Sequence, residues 1–272
     1  MWFVEKYDGI GLMVEGEKIF EKDGLQKIEI FSTKLGKMLV IDGKIQFSEA
    51  DEKFYHEMLV HIPMLLHPKP RKVLIIGGGD GGATREVLKH GVESIKLVEI
   101  DKNVIEACKR YIGIDEGALN DERVEIIIED GIEFVKNCKE KFDVVIVDGS
   151  DPDAVSKPLI SRDFYSRCSE VGEIFVTQSQ SPFMQQEYFE AILKNSSPFA
   201  WRRIYISFMP TYPSGMWSFM VASHHKISFR IEEIEKRYEE RGIQTIHYTP
   251  RLHLASFILP KWVEEIVKKY IE

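Results

Sequence analysis

Cysteines are few in this chain, and long apolar runs are absent. Cys108, Cys138 and Cys168 lie far apart and form no CxxC pair, so we expect each to be a buried, reduced thiol. No apolar stretch reaches the roughly 20 residues that a membrane-spanning helix needs. The first residues carry neither a basic region nor a signal-peptide core. The sequence therefore predicts a cytoplasmic protein without a membrane partner.

Positive charge is also scarce. Among the 272 residues, 44 are acidic and 36 are basic, which leaves a net charge of −8. The lysines are scattered and form no basic patch, so a nucleic-acid partner is not expected. An acidic protein is better suited to small cationic substrates. Metal-ligand spacing is lacking too, and we expect no metal at these histidines: His61, His67, His90, His224, His225 and His247.

A glycine-rich turn between a buried strand and a helix is the most informative feature that is present. Residues 73–76 are all apolar and predict a short parallel strand. Gly-Gly-Gly-Asp-Gly-Gly follows at 77–82, where glycine permits positive φ and a close approach to a ligand. The next strand leads to Glu99, twenty residues after Gly79, and an acid there suits a pair of ribose hydroxyls. Together these elements predict an adenosine-type ligand.

Apolar strands alternate with amphipathic helices from residue 72 onward, which predicts an α/β fold. We expect strands near 73–76, 95–100, 124–128, 142–147, 173–177, 204–208 and 217–221. We expect helices near 82–90, 102–111, 130–138, 161–169, 184–195, 231–241 and 260–271. The last two strands follow each other across a short turn, beside an otherwise parallel sheet. Such a pattern is typical of a methyltransferase-like (Rossmann-like) domain with a mostly parallel seven-stranded sheet.

The first fifty residues predict a separate, small antiparallel β domain (1–50) in front of a catalytic domain (51–272). Alternating segments and turn residues indicate strands at 28–31, 38–41 and 44–47. A sheet this thin cannot bury a core alone. We therefore expect it to pack on the larger domain or on a partner subunit.

A helix is predicted to follow this β domain directly. Ser48 is the expected N-cap, with Asp51 as the acid three residues later. The apolar pattern continues to about Leu66, and Pro63 marks a place where the helix could kink or stop early.

Acidic residues follow nearly every strand of the predicted sheet. Ligands of open α/β sheets bind beyond the carboxyl ends of the strands, so these side chains should meet at one site. They are Asp80, Glu99, Asp101, Asp130, Asp148 and Asp151. Aspartate is also a common N-cap, and Asp80 and Asp130 could serve only in that way. Inside the glycine turn, Asp80 would repel the carboxylate of adenosylmethionine unless a cation intervened, yet it would attract a decarboxylated, cationic tail.

Six blocks of sequence resemble the polyamine aminopropyltransferases, most closely the spermidine synthases, over about residues 2–262. The blocks are Leu-Val-Ile-Asp-Gly-Lys-Ile-Gln at 39–46, Asp-Glu-Lys-Phe-Tyr-His-Glu-Met at 51–58, the glycine turn at 77–82, Val-Glu-Ile-Asp at 98–101, Asp-Gly-Ser-Asp-Pro at 148–152 and Pro-Thr-Tyr-Pro-Ser-Gly at 210–215. The resemblance implies a homodimer or homotetramer that acts on a diamine and decarboxylated S-adenosylmethionine, with no resident cofactor and no metal.

The same resemblance implies roles for individual residues. Glu99 would hold the ribose hydroxyls and Asp130 the adenine amino group. Other contacts to the co-substrate are implied for Gln26, Gln46, His56, Gly77, Gly79, Asp80 and Gly131. The amine pocket would comprise Tyr55, Asp148, Asp151, Gln178 and Tyr212. A mobile gate is implied between Pro152 and Pro158, although residues 153–157 depart from the family's glycine-containing run.

The implied chemistry moves a propylamine group from a sulfonium to a primary amine. An alkylamine with a pKa of about 10.4 is less than about 1% neutral near pH 7, so a carboxylate that accepts the proton would help. Asp148, at a strand end beside Gly149, is the best candidate for this base, although an aspartate there could also serve only to form a turn. Tyr212 stands between two prolines and could orient the amine or present its ring to a cation.

The expected reaction converts putrescine to spermidine and releases methylthioadenosine. Agmatine, cadaverine and longer amines remain open as acceptors, because pocket depth cannot be read from spacing. An adenosylmethionine-dependent methyltransferase is the nearest enzymatic rival, and Asp80 argues against it. A non-catalytic nucleoside-binding protein is less expected, since Asp148, Asp151 and Tyr212 are all present. An NAD dehydrogenase ranks last, because no hydride-transfer site follows the glycine turn.

Overall fold

The computed structural model describes residues 1–7, 10–152, 155–212, 214–228 and 230–271. An antiparallel sheet at the N-terminus has five strands in sequence order: β1 (Trp2–Tyr7), β2 (Ile10–Lys22), β3 (Ile28–Thr33), β4 (Gly36–Ile41) and β5 (Lys44–Ser48). The predicted strands correspond to β3, β4 and β5. β1 and β2 were not predicted separately, because apolar residues lie on the exposed as well as on the half-buried face of these strands.

The second sheet has the predicted mostly parallel, seven-stranded arrangement. Its strands are β6 (Lys72–Gly77), β7 (Ser94–Glu99), β8 (Val124–Ile128), β9 (Phe142–Asp148), β10 (Gly172–Gln180), β11 (Trp201–Phe208) and β12 (Met216–Ser223), in the spatial order β11-β12-β10-β9-β6-β7-β8. Neighbouring strands from β8 to β10 are parallel, whereas β12 and β11 join antiparallel. The strand order reverses between β6 and β9, which is where such sheets form a ligand crevice.

Each predicted helix is found among the described residues, together with a short one that was not predicted. The helices are α1 (Glu52–Leu66), α2 (Gly82–Leu88), α3 (Lys102–Tyr111), α4 (Gly131–Asn137), α5 (Arg162–Val171), α6 (Gln186–Asn195), α7 (Ile231–Glu240), α8 (Pro250–Ala255) and α9 (Lys261–Val267). The missed helix is α8, which Thr249 caps by accepting from Leu252 N, with Pro250 in its first turn. In the part of the chain that is described, no helix is long and apolar enough to cross a membrane.

The expected N-cap of α1 was wrong. The helix begins at Glu52 with Asp51 as its N-cap, because Ser48 still belongs to β5 and its hydroxyl donates to Asp51 Oδ1 at 2.7 Å. The other oxygen of Asp51 accepts from the backbone N–H and the hydroxyl of Thr211, at 2.9 and 2.7 Å. The helix passes Pro63 and ends at Leu66, as the apolar pattern predicts, since nearly all of its residues are buried and packing outweighs the local cost of proline.

The N-terminal sheet packs on the larger unit, one of the two predicted possibilities. Ile30, Leu39 and Phe47 of this sheet form one buried cluster with Val104 and Cys108 of α3. The core of the thin sheet is therefore completed by a helix of the neighbouring unit. The predicted domain boundary between residues 50 and 51 stays a prediction.

The three cysteines are free thiols. Cys108 and Cys168 are buried, as expected, and burial raises the pKa of each thiol well above its usual value. Cys138 departs from the expectation because it is only partly buried, directly after the last turn of α4.

Candidate active site

A cleft with about 1050 Å³ of space lies at the switch point between β6 and β9. The N-terminal sheet, α1 and the loop before β12 complete its walls. The structure brings together in this cleft all the predicted site residues except the two gate prolines: Gln26, Gln46, Tyr55, His56, Gly77, Gly79, Asp80, Glu99, Asp130, Gly131, Asp148, Asp151, Gln178 and Tyr212.

The glycine turn joins the ends of β6 and β9. Gly77 and Gly78 have φ values of 79° and 69°, which L side chains rarely adopt. Gly78 N donates to the Asp148 carbonyl at 2.9 Å, and a Cβ at Gly77 would collide with that same carbonyl. The turn therefore needs glycine, and it places Asp80 next to the end of β9.

Glu99 lies at the expected nucleoside end of the cleft and is 6% exposed. Its Oε2 accepts from Gly79 N at 3.1 Å and its Oε1 from Asp101 N at 3.0 Å. A Cβ at Gly79 would lie 2.8 Å from Oε2, so only glycine at position 79 allows the Glu99 carboxylate to lie this close to the turn. Burial raises the pKa of Glu99 to about 7, although the backbone N–H groups lower it. Both oxygens are thus fixed in place, and each can accept a further hydrogen bond.

Asp130 both caps a helix and lines the cleft. Its Oδ1 accepts from Ile132 N at 2.8 Å, so Asp130 is the N-cap of α4. The same residue lines the cleft, so the N-cap role does not exclude contact with a ligand. A Cβ at Gly131 would collide with the side chain of Ile76, which explains the glycine after Asp130. The two glutamines come from the N-terminal sheet: Gln26 from the loop before β3, and Gln46 from β5.

His56 and Asp80 belong to a compact charged cluster with Asp148, whose ligand-type atoms all lie within 4.8 Å of one another. His56 Nε2 lies 3.4 Å from Asp80 Oδ1, and Nδ1 lies 2.8 Å from Glu52 Oε2. Burial alone would lower the pKa of His56, but Asp80 and Glu52 raise it well above its usual value. A carboxylate faces each ring nitrogen, and this arrangement favours the imidazolium form of His56.

Asp80 keeps its negative charge in this cluster. Burial would raise its pKa, but His56 and the backbone N–H of Gly82 lower it below the usual range. Gly82 N donates to Asp80 Oδ1 at 2.7 Å at the start of α2, although the N-cap residue of that helix is Gly81 and not Asp80.

Asp148 has one oxygen in a hydrogen bond and one without a partner. Oδ1 accepts from the Tyr55 hydroxyl at 2.9 Å, whereas Oδ2 is buried with no hydrogen-bond partner among the described residues. Burial and the nearby Asp80 raise the pKa of Asp148 to about 6, against the opposing effects of His56 and Tyr55. A buried carboxylate with a free oxygen and a pKa just below neutrality is suited to accept a proton at pH 7.

The predicted amine pocket adjoins Asp148. The Tyr212 hydroxyl donates to the Gln46 carbonyl, and its ring packs edge-on against Trp217 at a centroid distance of 4.6 Å. Asp151 Oδ2 accepts from Gln185 Nε2 at 2.9 Å. Gln178 lines the same region and donates to the Gly149 carbonyl. Trp217, expected in the sheet core with the pocket border as an alternative, is 1% exposed and also lines the cleft.

Two residues of β1 were missed by the sequence analysis. Tyr7 lines the cleft and its hydroxyl donates to Glu5, which is 1% exposed. Burial raises the pKa of Glu5 to about 7, against the opposing effects of Tyr7 and Lys44. The sequence did contain a signal, since Phe3, Glu5 and Tyr7 share one face of the strand, and an acid on an otherwise aromatic face is unusual.

The predicted gate borders the cleft through residues other than its prolines. Pro152 is buried, and Pro158 is exposed within a short 3-10 helix, Lys157–Ile160. Val155 and Ser156 line the cleft, and the Ser156 hydroxyl is hydrogen-bonded to that of Ser150. Asp153 and Ala154, where the chain departs from the family's usual run, lie outside the described residues. Motion of this segment stays a prediction.

Family models match both parts of the chain. Residues 52–231 match the spermine/spermidine synthase domain, and residues 1–49 match the spermidine synthase tetramerisation domain. A solved spermidine synthase in complex with the transition-state analogue AdoDATO superposes with a TM-score of 0.94 at 39% identity, over 99% of this chain and 95% of that one. The spermidine synthase from Thermotoga maritima gives a TM-score of 0.91 at 38% identity, over 98% and 94% of the two chains.

Curated relatives agree with these structures. A polyamine aminopropyltransferase from Archaeoglobus fulgidus is 51% identical over the full length of both chains. The polyamine aminopropyltransferase from Methanocaldococcus jannaschii is 39% identical, over 100% of this chain and 97% of that one. With the match of the family model to residues 52–231, these similarities establish that the chain belongs to the spermine/spermidine synthase family of polyamine aminopropyltransferases.

Proposed function

We propose that this polyamine aminopropyltransferase transfers the propylamine group of decarboxylated S-adenosylmethionine to putrescine, giving spermidine and methylthioadenosine. The observation that carries the proposal is Asp148, which lines the cleft and whose buried Oδ2 has no hydrogen-bond partner in the part of the chain that is described. An amine nitrogen that donates to Oδ2 would satisfy this orphaned acceptor. We propose Asp148 as the general base.

The reaction is a single displacement. The nitrogen lone pair forms a bond to the propyl carbon beside sulfur, and the carbon–sulfur bond breaks with its electrons going to sulfur. The sulfonium becomes a neutral thioether, and the surplus proton on nitrogen passes to Asp148 Oδ2. Tyr55 holds the other oxygen of Asp148, so the carboxylate is oriented before the amine enters. These steps are balanced without a resident cofactor or a metal, and we propose that the enzyme uses neither.

The co-substrate is proposed to lie across the glycine turn. Glu99 would accept from the ribose hydroxyls, and Asp130 would contact the adenine amino group at the start of α4. The cationic aminopropyl tail would lie beside Asp80. His56 partly compensates the charge of Asp80, yet Asp148 adds a second carboxylate to the same cluster. The cluster is therefore still unfavourable for the carboxylate of ordinary adenosylmethionine and favourable for a decarboxylated tail.

The acidic side chains of the cleft favour an acceptor with two positive groups. Asp151 and Tyr7 line the cleft together with Asp148, and the Tyr7 hydroxyl donates to the buried Glu5. Asp151 contributes to the raised pKa of Glu5, so the two carboxyl groups interact electrostatically. A distal ammonium of putrescine would meet these groups. Agmatine, cadaverine and longer amines also carry a distal cation, and the experiment below distinguishes them.

We further propose that the chain forms a homodimer or homotetramer through its N-terminal sheet. Trp2, Val4 and Met13 are apolar and exposed, and they share one face of β1 and β2. These strands lie in the segment that matches the tetramerisation domain model. Burial of such side chains against a second copy is favourable, because large exposed apolar patches are rare on monomers.

Release of methylthioadenosine tests the proposal. Putrescine, cadaverine, agmatine and spermidine are supplied one at a time with decarboxylated S-adenosylmethionine, and a parallel series contains ordinary adenosylmethionine. We expect release that depends on the amine, is fastest with putrescine and occurs only in the decarboxylated series. A higher kcat/KM with another amine would replace the proposed acceptor. Methyl transfer from ordinary adenosylmethionine would overturn the assignment of Asp80.

A further inference from the structure

Behind His56 lies a buried ion pair that does not line the cleft. Glu52 and Arg85 are 2% and 5% exposed. The Glu52 carboxylate accepts from both terminal nitrogens of Arg85, with Nη1–Oε1 at 3.0 Å and Nη2–Oε2 at 2.9 Å. The same Oε2 faces His56 Nδ1 at 2.8 Å. One carboxylate therefore links a fixed guanidinium to the histidine of the active site.

Arg85 is anchored on every side. Its Nη1 also donates to the Ile114 carbonyl at 2.5 Å, and its Nε donates to Glu86 Oε1 at 2.8 Å. Glu86 in turn binds His61 at 3.0 Å. A guanidinium with these partners cannot rotate freely, so it fixes the position of the Glu52 carboxylate.

We propose that Glu52, held by Arg85, is a positioning residue for aminopropyl transfer, because it keeps a proton on both ring nitrogens of His56 and holds Nε2 against Asp80. The inference rests on the proposed role of Asp148 as the base. In this arrangement an imidazolium, and not a neutral ring, stands between the carboxylates of Asp80 and Asp148.

The space around the ring supports a fixed orientation. A Cβ at Gly82 would collide with the His56 ring, so the glycine makes room for it. Phe47 and Tyr55 contact the ring edge-on, at centroid distances of 6.2 and 5.3 Å. The ring is thus enclosed by aromatic side chains and backbone, and only its two nitrogens meet charged groups.

The charges that face His56 explain why its proton matters. They are Glu52 from α1, Asp80 from the glycine turn and Asp148 from β9, with Arg85 behind Glu52. Without the imidazolium, Asp80 and Asp148 would be two carboxylates in close proximity, and one of them would retain a proton. A protonated Asp148 cannot accept the proton of the amine. Glu52 would therefore set the pH range in which Asp148 is active.

The test compares pH profiles of kcat/KM for the amine in the wild type and in the Glu52→Gln variant. We expect the acidic limb to move upward by about one pH unit, because the loss of one nearby charge shifts a pKa by roughly that amount or more. The rate should then fall about fivefold near pH 6, approach a tenfold loss near pH 5 and change little near pH 9. A ring-carbon NMR titration of His56, which needs no activity, should show a lower His56 pKa in the variant.

Glu57→Gln is the matched control. Glu57 lies on the same helix and is fully buried, and its carboxylate accepts from Ile246 N, His247 N and Tyr248 N, whereas that of Glu52 faces His56. This variant should lose stability without any movement of the acidic limb. If the acidic limb moved equally in the control, the effect of Glu52→Gln would be a general consequence of losing a buried charge, and the proposal would be overturned.

A double variant separates positioning from structure. If Glu52 acts through His56, Glu52→Gln should add no further shift to a His56→Gln background. An additional shift there, a loss of rate that is equal at every pH, or an unchanged His56 titration would refute the proposal. If Glu52→Gln fails to fold, His56→Gln still tests the proposal. Loss of the imidazolium must move the acidic limb of the pH profile upward, and an unmoved limb would refute the proposal. A wild type without methylthioadenosine release would refute the proposed function, while the His56 titration would still test this inference.

Discussion

Replacement of Asp148 with asparagine should separate catalysis from stability. Asparagine keeps an oxygen to accept from Tyr55, so the local hydrogen bond at 2.9 Å can persist. Its amide cannot take the proton of the amine, and loss of a general base costs roughly 10²- to 10⁴-fold in rate. We expect kcat/KM for the amine to fall by about 10³-fold, which corresponds to about 4 kcal/mol of transition-state stabilisation.

Although Asp148→Asn should lower activity, it should increase the free energy of unfolding. The pKa of Asp148 rises from its usual 3.8 to about 6 in the folded chain. Since the unfolded state ionises more readily, ionisation of Asp148 opposes folding, and the cost is fully present above pH 6 and vanishes below about pH 4. At 1.36 kcal/mol per pKa unit this cost is about 3 kcal/mol, so Asp148→Asn should stabilise the protein by up to about that amount at pH 7.

Two measurements test these statements. The wild-type kcat/KM should fall about tenfold between pH 7 and pH 5, because Asp148 becomes protonated, and the variant should lack this acidic limb. Urea unfolding at pH 7 and at pH 4 should show the stabilisation only at the higher pH. Asp143→Asn is the control, because Asp143 lies at the opposite end of β9 and accepts from Arg71 N and Lys72 N. A variant of Asp148 with near-normal activity, or with reduced stability at pH 7, would refute the reasoning.

Three further substitutions test other parts of the molecule. Tyr212→Phe removes the hydroxyl that donates to Gln46, and KM for the amine should rise about threefold to tenfold, with an unchanged KM as the contrary result. Glu99→Gln should weaken methylthioadenosine binding about tenfold to a hundredfold, as measured by calorimetry, and an unchanged affinity would show that Glu99 does not bind the ribose. Met13→Glu, on the exposed face of β2, should yield a smaller assembly in light scattering, and an unaltered mass would point to another interface.

Much of the fold could be predicted because the strands of the second sheet are buried on both faces. Runs such as residues 73–76 and 142–147 are almost wholly apolar, and the segments between such runs show helical periodicity. The elements that were missed bury little. Most of β2 is exposed, and α8 has six residues, too few to show a period. The start of α1 was misplaced because Ser48 and Asp51 form a local hydrogen bond before the helix begins.

The acids of the site could also be located, because parallel strands align their carboxyl ends at one edge of the sheet. Asp80 and Asp148 therefore meet at the switch point, as the order of strand ends predicts. The pairing of Glu52 with Arg85 could not be predicted in this way. These residues are 33 positions apart, on two helices that pack only in the folded chain, and neither strand order nor a spacing rule connects them.

Five buried acids, Glu52, Glu86, Asp148, Glu99 and Glu5, fall into two classes according to the direction of their pKa shift. Burial would raise the pKa of Glu52 and Glu86, but the cations and histidines beside them lower it below the usual range. Burial also raises the pKa of Asp148, Glu99 and Glu5, and there the opposing groups are too weak to reverse it, so the values lie near 6 to 7. Uncompensated desolvation of this kind is typical of functional sites. The first class is neutralised by the protein itself, whereas the second class lies in or beside the cleft. A doubly charged amine and a sulfonium would supply the positive charge that the cleft lacks, which is why the electrostatics favour aminopropyl transfer over a reaction of anionic substrates.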